Sequence, residues 1–249
     1  MKQHKRFAMV VSTLALSIMA CSLGGITLGE AETVRGSGDV VEETRAVSGV
    51  SGVNLATIGD MTIELGDTES LRIEAEDNLM EYLETEVRGG KLSIGTSDNI
   101  RLEPTKPIRY TLTVTGLDTI EISSVGDIQA PDLEAEQFSI SISSTGDLTM
   151  GELNANELDV DMSSTGSLGI AGGEVKTQTV TSSSTGNYTA EDLASGEADV
   201  RLSSTGSATI WVRDTLKANL SSTGDLRYRG DPTVDATTSS TGDVIHIAE

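Results

Sequence analysis

Four aspartates are the first residues that could do chemistry. Asp127, Asp147, Asp225 and Asp243 each follow the glycine of a recurring Ser-Ser-x-Gly motif. If that motif stacks on itself, Asp127 lies beside Asp147 and Asp225 beside Asp243, about 5 Å apart. Carboxylates paired in this way are oxygen ligands for a hard cation such as Ca²⁺. Aspartate also serves turns on its own account, so solvated turn residues with loose counterions are the preferred reading. A second constellation is aromatic and cationic. Trp211, the sole tryptophan, follows apolar Ile210, so strand alternation turns it outward together with Arg213. Arg229 would stand one repeat further on. An indole beside guanidinium groups can stack on a sugar or anchor a protein partner. Covering a sheet edge or a turn is the plainer role for such a residue.

Little else points to catalysis. The two histidines are His4 and His246, and the second is placed to cap a last coil. A Ser-His-acid triad would have to use His246, and seven equivalent serine motifs argue for structure over a single nucleophile. One cysteine and two histidines cannot build a Cys/His metal centre. There is no Walker loop, and Gly36-Ser37-Gly38-Asp39 is too short for a dinucleotide fingerprint. No cofactor is called for, and the chain reads as a non-enzyme. The net charge is −22, from 17 basic and 39 acidic residues. Such a surface repels phosphate backbones, which argues against nucleic-acid binding.

The N-terminus carries its own signal. Lys2, Lys5 and Arg6 precede the apolar run Phe7–Ala20. That run is too short for a bilayer-spanning helix, which takes about 20 residues. A basic start, a short apolar middle and small residues before a cut form the secretory pattern. Residues 1–20 therefore read as a signal peptide. Cys21, the only cysteine, follows Ile18-Met19-Ala20 and resembles the lipobox cysteine of bacterial lipoproteins, with Met19 a mild departure from the pattern. The resemblance implies lipidation at Cys21 and a membrane as partner. Ser22 at the next position implies the outer membrane. Residues 21–35, with three glycines, read as the lipidated cysteine and a tether.

The elements that position these residues are set by a repeat. Ser-Ser-Val-Gly occupies 123–126, and Ser-Ser-Thr-Gly recurs from 143, 163, 183, 203, 221 and 239. Around it, apolar residues alternate with polar ones, as in Phe138-Ser139-Ile140-Ser141-Ile142. Period two is strand periodicity with one buried face. The i, i+3, i+4 spacing of an α-solenoid is missing, and a propeller blade needs about 40 residues. The fold class is therefore all-β: a parallel β-helix with 18–20 residues per coil. Aromatics make up only 3% of the chain, which suits a slender aliphatic core. In this reading the motif glycine takes a positive φ to turn the chain between sheets. The Ser and Thr hydroxyls pair with turn backbone or with each other. Ser167, Asn187 and Ser207 interrupt the aspartate column to relieve like-charge stacking.

Residues 36–122 alternate less regularly and read as irregular N-terminal coils, ahead of the regular coils of 123–249. Thr57-Ile58-Gly59-Asp60 looks like a degenerate turn motif. Asp77–Leu83 reads as a short helix with Asp77 as its N-cap, and Pro104 and Pro107 mark a loop. Gly36-Ser37-Gly38-Asp39, Val47-Ser48-Gly49-Val50, Thr57–Ile63, Leu71–Leu79 and Lys91-Leu92-Ser93-Ile94, with the Ser-Ser-Thr-Gly-Asp coils, resemble the GIN-domain family of auto-transporter adhesin heads over about 36–247. The resemblance implies a right-handed β-helix on an exported, often lipid-anchored protein with an adhesin-like role. Three functions follow: a surface module binding a glycan or protein, a self-associating structural envelope lipoprotein, or a polysaccharide-lyase-like enzyme. The first is preferred.

Overall fold

Period-two alternation becomes a solenoid here because each strand finds its hydrogen-bond partner one repeat away. The computed structural model describes residues 31–248. The signal segment and Cys21 lie outside the described residues. Strands Leu133–Ile142, Leu148–Met162, Leu168–Ser182, Tyr188–Leu202 and Ala208–Leu220 pair in parallel, each with the next. Register follows the repeat: Ile140, Val160 and Val180 are successive partners, and all are buried. Burying one such side chain contributes about 1.5–3 kcal/mol, so stacked columns of them hold the coils together.

Within one coil the buried positions change parity twice. Leu148 and Met150 point inward, then Leu153, then Leu158, Val160 and Met162. The chain therefore bends at two corners between turn motifs, and the motif itself makes the third bend. Three short faces enclose an interior one aliphatic side chain deep.

The motif glycine works differently from the sequence expectation. Positive φ occurs at Gly38, Gly49, Gly59, Gly89, Gly90, Gly173 and Gly230; of these only Gly59 belongs to the turn stack. From Gly126 onward the constraint is space. A Cβ on Gly146 would overlap the carbonyl of Gly126, one on Gly166 that of Gly146, and so on to Gly242 over Gly224. Gly126 lies in turn over the carbonyl of Gly59, so Thr57-Ile58-Gly59-Asp60 is the first turn of the stack. The hydroxyls bond backbone of the coil before: Ser144 Oγ donates to the Ser124 carbonyl, and Ser203 Oγ to that of Ser182 at 3.3 Å.

The N-terminal part departs from a run of irregular coils. One coil, Gly52–Leu55 with Asp60–Leu65, stacks directly on Thr119–Ile122 and Ile128–Ala130. The intervening chain forms a cap over that coil. Lys91–Thr96 and Arg109–Val114 lie parallel to it, while Val40–Ala46, Ser70–Glu76 and Leu83–Arg88 add antiparallel strands. Antiparallel pairing lets the chain reverse and close the end of the core. The helix is shorter than the pattern predicts: Asp77–Met80, with Glu76 in the N-cap position and no side-chain cap. Glu32–Arg35, which the sequence assigns to the tether, is a strand paired with Ile100–Glu103. The folded body thus begins before Gly36.

Glu76 fastens that small sheet to the cap. Its carboxylate is wholly buried. Oε1 accepts from Gly38 N–H at 2.6 Å and Thr105 Oγ1 at 2.5 Å; Oε2 accepts from the N–H of Thr105 at 2.8 Å and Lys106 at 3.3 Å. Gly36 has no room for a Cβ because Glu76 occupies it. Ser37 N–H and Arg35 O bond the side chain of Asn78. Two motifs far apart in the chain are thereby one lock. Burial alone would raise the Glu76 pKa; the hydrogen bonds from Thr105, Gly38 and Lys106 outweigh it and hold the group below 4.5.

Two outcomes are expected. Gly166→Ala forces apart two coils and should cost about 3 kcal/mol or more, whereas Gly169→Ala, with nothing within 4 Å of its Cβ position, should be near neutral; urea midpoints of both variants decide. Because its folded pKa is depressed, Glu76 stabilises the fold above the unfolded value and loses that contribution as pH falls through the folded one. Glu76→Gln should therefore melt lower at pH 7, with the gap from the parent closing below pH 4.5.

Candidate functional site

The turn column brings the four candidate aspartates into line, and it gives the carboxylates of Asp127, Asp147 and Asp225 a backbone partner in the following coil. Asp60 Oδ1 accepts the N–H of Asp127 at 3.2 Å. Asp127 Oδ1 does the same for Asp147 at 2.9 Å, and Asp147 Oδ1 for Ser167 at 2.7 Å. The series continues through Ser167, Asn187 and Ser207 to Asp225, whose Oδ1 accepts from Asp243 N–H at 3.1 Å. Each residue from Asp60 to Asp225 offers a short side-chain oxygen to the backbone of the following coil. Ser167, Asn187 and Ser207 keep that acceptor while dropping the charge. Hydrogen bonding to the backbone is thus a second constraint on the column beside relief of repulsion. Among the described residues no group of three or more His, Cys, Asp or Glu is arranged to hold a metal ion.

Trp211, Arg213 and Arg229 are assembled at one corner, as alternation predicts. Trp211 is the register partner of Arg229, and the Arg213 guanidinium lies 5.5 Å from the indole centroid. Both arginines already have anions. Arg213 Nη1 is 2.6 Å from Glu174 Oε1, and Arg229 Nη1 is 2.9 Å from Asp192 Oδ1. Half-buried Trp211 packs against Gly230 and pairs with Ala194. Here the repeat shortens from 20 to 18 residues, and the strand pairing slips between Ala190 and Ala194. The trio clamps that step, so one face of the indole is taken by Arg213.

Sequence pattern missed what lies beneath. Gln178 replaces the apolar residue of the column containing Phe138 and Leu158 and is buried. Tyr188 OH donates to Gln178 Oε1 at 3.1 Å, Gln178 Nε2 donates to Ser195 Oγ at 2.7 Å, and Ser195 Oγ donates to the Trp211 carbonyl at 2.8 Å. The chain is satisfied at every link, as a buried polar group requires. Burial pushes the Tyr188 phenol far above its ordinary pKa, so it remains a neutral donor. The only signal in sequence was glutamine at a position that is apolar in the coils before it.

Residues 50–232 match the family described as "putative auto-transporter adhesin, head GIN domain". The chain belongs to that family. A comparison with curated proteins finds no match. Among solved structures, a "putative adhesin" of Bacteroides fragilis superposes with a TM-score of 0.81 at 19% identity, over 86% of this chain and all of that one. A "putative adhesin" of Parabacteroides merdae gives 0.68 at 17%, over 87% and 100%. A "putative lipid binding protein" of Parabacteroides distasonis gives 0.67 at 20%, over 87% and 100%. These likenesses establish the shared fold. A family of adhesin heads is one of surface or exported proteins, and among the described residues no helix is long and apolar enough to cross a membrane.

What this GIN domain offers to solvent is a parallel sheet of short polar side chains. Ser139 and Ser141, Asp159 and Asp161, and Thr179 and Thr181 stand in register on adjoining strands around a groove of about 230 Å³. A second groove, of about 420 Å³, opens where cap meets solenoid, lined by Leu65, Leu133, Asp132, Glu134, Glu152 and Asn154.

If the aspartate column acts as an acceptor ladder, Asp147→Asn keeps Oδ1 and should leave stability within about 0.5 kcal/mol. Asp147→Ala should cost about 1 kcal/mol. Denaturant titration with and without Ca²⁺ checks this; a Ca²⁺-dependent gain lost in Asp147→Asn would reinstate the cation site.

Proposed function

We propose that this chain is an exported, lipid-anchored, non-catalytic surface-binding module, an adhesin head held to the bacterial outer membrane through Cys21. The observation that carries the reading is the outward sheet. Its hydroxyl and carboxylate rows are spaced at about 4.8 Å by the strands and fixed by the stack beneath them. A rigid lattice of short hydrogen-bonding groups suits many weak contacts with a glycan or a protein, whose summed strength comes from multivalency. The nucleophile-base pairs that hydrolysis or elimination requires are not what this lattice supplies. Family membership supports the adhesin role, and the signal segment with its cysteine supports the anchor. Acyl chains contribute about 0.8 kcal/mol per buried CH₂, and durable attachment needs more than one chain.

Membrane fractions should contain the parent protein, and Cys21→Ser should move it to the soluble fraction with loss of labelling by a fatty-acid analogue. On a glycan array and on host-cell monolayers the protein should be retained without turnover of the ligand. Retention of nothing on glycans, matrix proteins or cells would count against adhesion, and an unsaturated product from acidic polysaccharide with Ca²⁺ would replace it with a lyase.

A further inference from the structure

The cap leaves a notch in the side of the solenoid. After Leu65 the chain departs into the cap, so the first coil has strands on two faces, Gly52–Leu55 and Asp60–Leu65, and none on the third. Later coils fill that face: Leu153–Ala155 lies between Leu133–Ala135 and Gly173–Val175. Leu133–Ala135 itself is paired on one side only among the described residues. Along the stack an outward residue aims its N–H at the coil before it, as Ser139 does at Asp118 O and Glu152 at Asp132 Oδ1, both at 2.8 Å. An inward residue aims at the coil after, as Leu148 does at Ser167 O at 2.9 Å. Glu134 is outward and exposed, so its N–H and C=O face the notch. Neither has a hydrogen-bond partner among the described residues.

The notch is the groove of about 420 Å³ between cap and solenoid. Leu65 stands at its edge, 51% exposed, although its register partner Val114 is buried. Asp132, Glu134 and Glu152 rim it, and the residues lining it include no Lys or Arg. Three features therefore coincide: an unpaired length of backbone, an uncovered leucine and a rim of carboxylates. An apolar small molecule would leave the backbone and the carboxylates unmatched. A second copy of this chain would bring a net charge of −22 to an acidic rim. An extended, basic segment of another protein matches all three features.

We infer that this notch binds an extended segment of a partner protein, with basic and apolar residues in alternation, as the strand missing from the third face. Its main chain pairs with Glu134 N–H and C=O. An apolar side chain turns inward onto Leu65, and the basic ones on either side turn outward to Asp132, Glu134 and Glu152. Strand addition of this kind takes affinity from the main chain and selectivity from alternate side chains. The inference rests on the adhesin reading and deepens it by naming the chemistry of a protein partner and where it attaches.

The probe is a fluorescein-labelled peptide that alternates lysine and valine, set against a control that alternates glutamate and valine. Anisotropy on titration with the full chain should show saturable binding of the basic peptide that weakens with salt, and none of the acidic one. Glu134→Pro should reduce affinity by about tenfold or more through loss of a main-chain bond. Glu134→Gln keeps the N–H and should bind more tightly than Glu134→Pro. Leu65→Ser should cost about fivefold or more through loss of apolar contact. Proline is tolerated on an unpaired strand edge, and Leu65 is already half in water, so melting temperatures should match the parent and separate lost docking from lost folding. Absence of saturable binding, equal binding of the acidic peptide, or indifference to Glu134→Pro and Leu65→Ser overturns the inference. Slow hydrogen exchange at the Glu134 amide of the free chain also overturns it, by giving the notch to the chain itself. A dimer that Glu134→Pro dissolves, seen by light scattering, overturns it in favour of a second copy. If the peptide fails while cells or glycans still retain the protein, the notch site falls and the adhesin reading stands.

Discussion

Where Gly146 lies over Gly126, the Cα of one coil rests on the carbonyl of the coil before it, and nothing larger than hydrogen fits between. The same contact recurs from Gly59 to Gly242. Strands on either side of the turn can hydrogen-bond to their neighbours only if the turns themselves approach to the strand spacing of about 4.8 Å. A side chain at that point would hold the coils apart and break the ladders on both flanks. The alignment of Ile140, Val160 and Val180, and with it the dry interior, depends on this contact. The aspartate column reinforces it from outside, since a short acceptor on each coil holds the N–H of the next.

Two buried polar side chains of this slender body are held by hydrogen bonds. Glu76 is matched by Gly38, Thr105 and Lys106, and the result is a joint between the small sheet of Glu32–Arg35 and the cap. Gln178 is matched by Tyr188 and Ser195, and the result is a brace under Trp211 where the repeat shortens. Each replaces apolar packing with directional bonds at a place where the regular stack changes. Hydrogen bonds fix geometry more narrowly than aliphatic contact does, which suits a junction.

The function of such a molecule resides in what the stack leaves outside. The sheet presents rows of serine, threonine, aspartate and glutamate whose spacing is set by the backbone, so the surface is a lattice with little freedom of its own. Lateral faces of this kind suit repeated weak contacts.

The sequence by itself determined the repeating body. The Ser-Ser-Thr-Gly spacing and the alternation around it specify parallel coils of 18–20 residues and name the inward columns correctly, because a strand's side chains have period two whatever surrounds them. It also brought Trp211, Arg213 and Arg229 to one corner. Tertiary structure alone decided what those groups do. Whether an arginine is free depends on Glu174 and Asp192, which lie 39 and 37 residues away in the chain. Whether a glycine is chosen for φ or for space depends on the coil it rests against. The cap was illegible for the same reason: antiparallel strands such as Ser70–Glu76 alternate just as parallel ones do, and their partners are fixed only by packing. Periodicity reports which side of a strand is buried; it carries no information about which strand, carboxylate or carbonyl stands opposite.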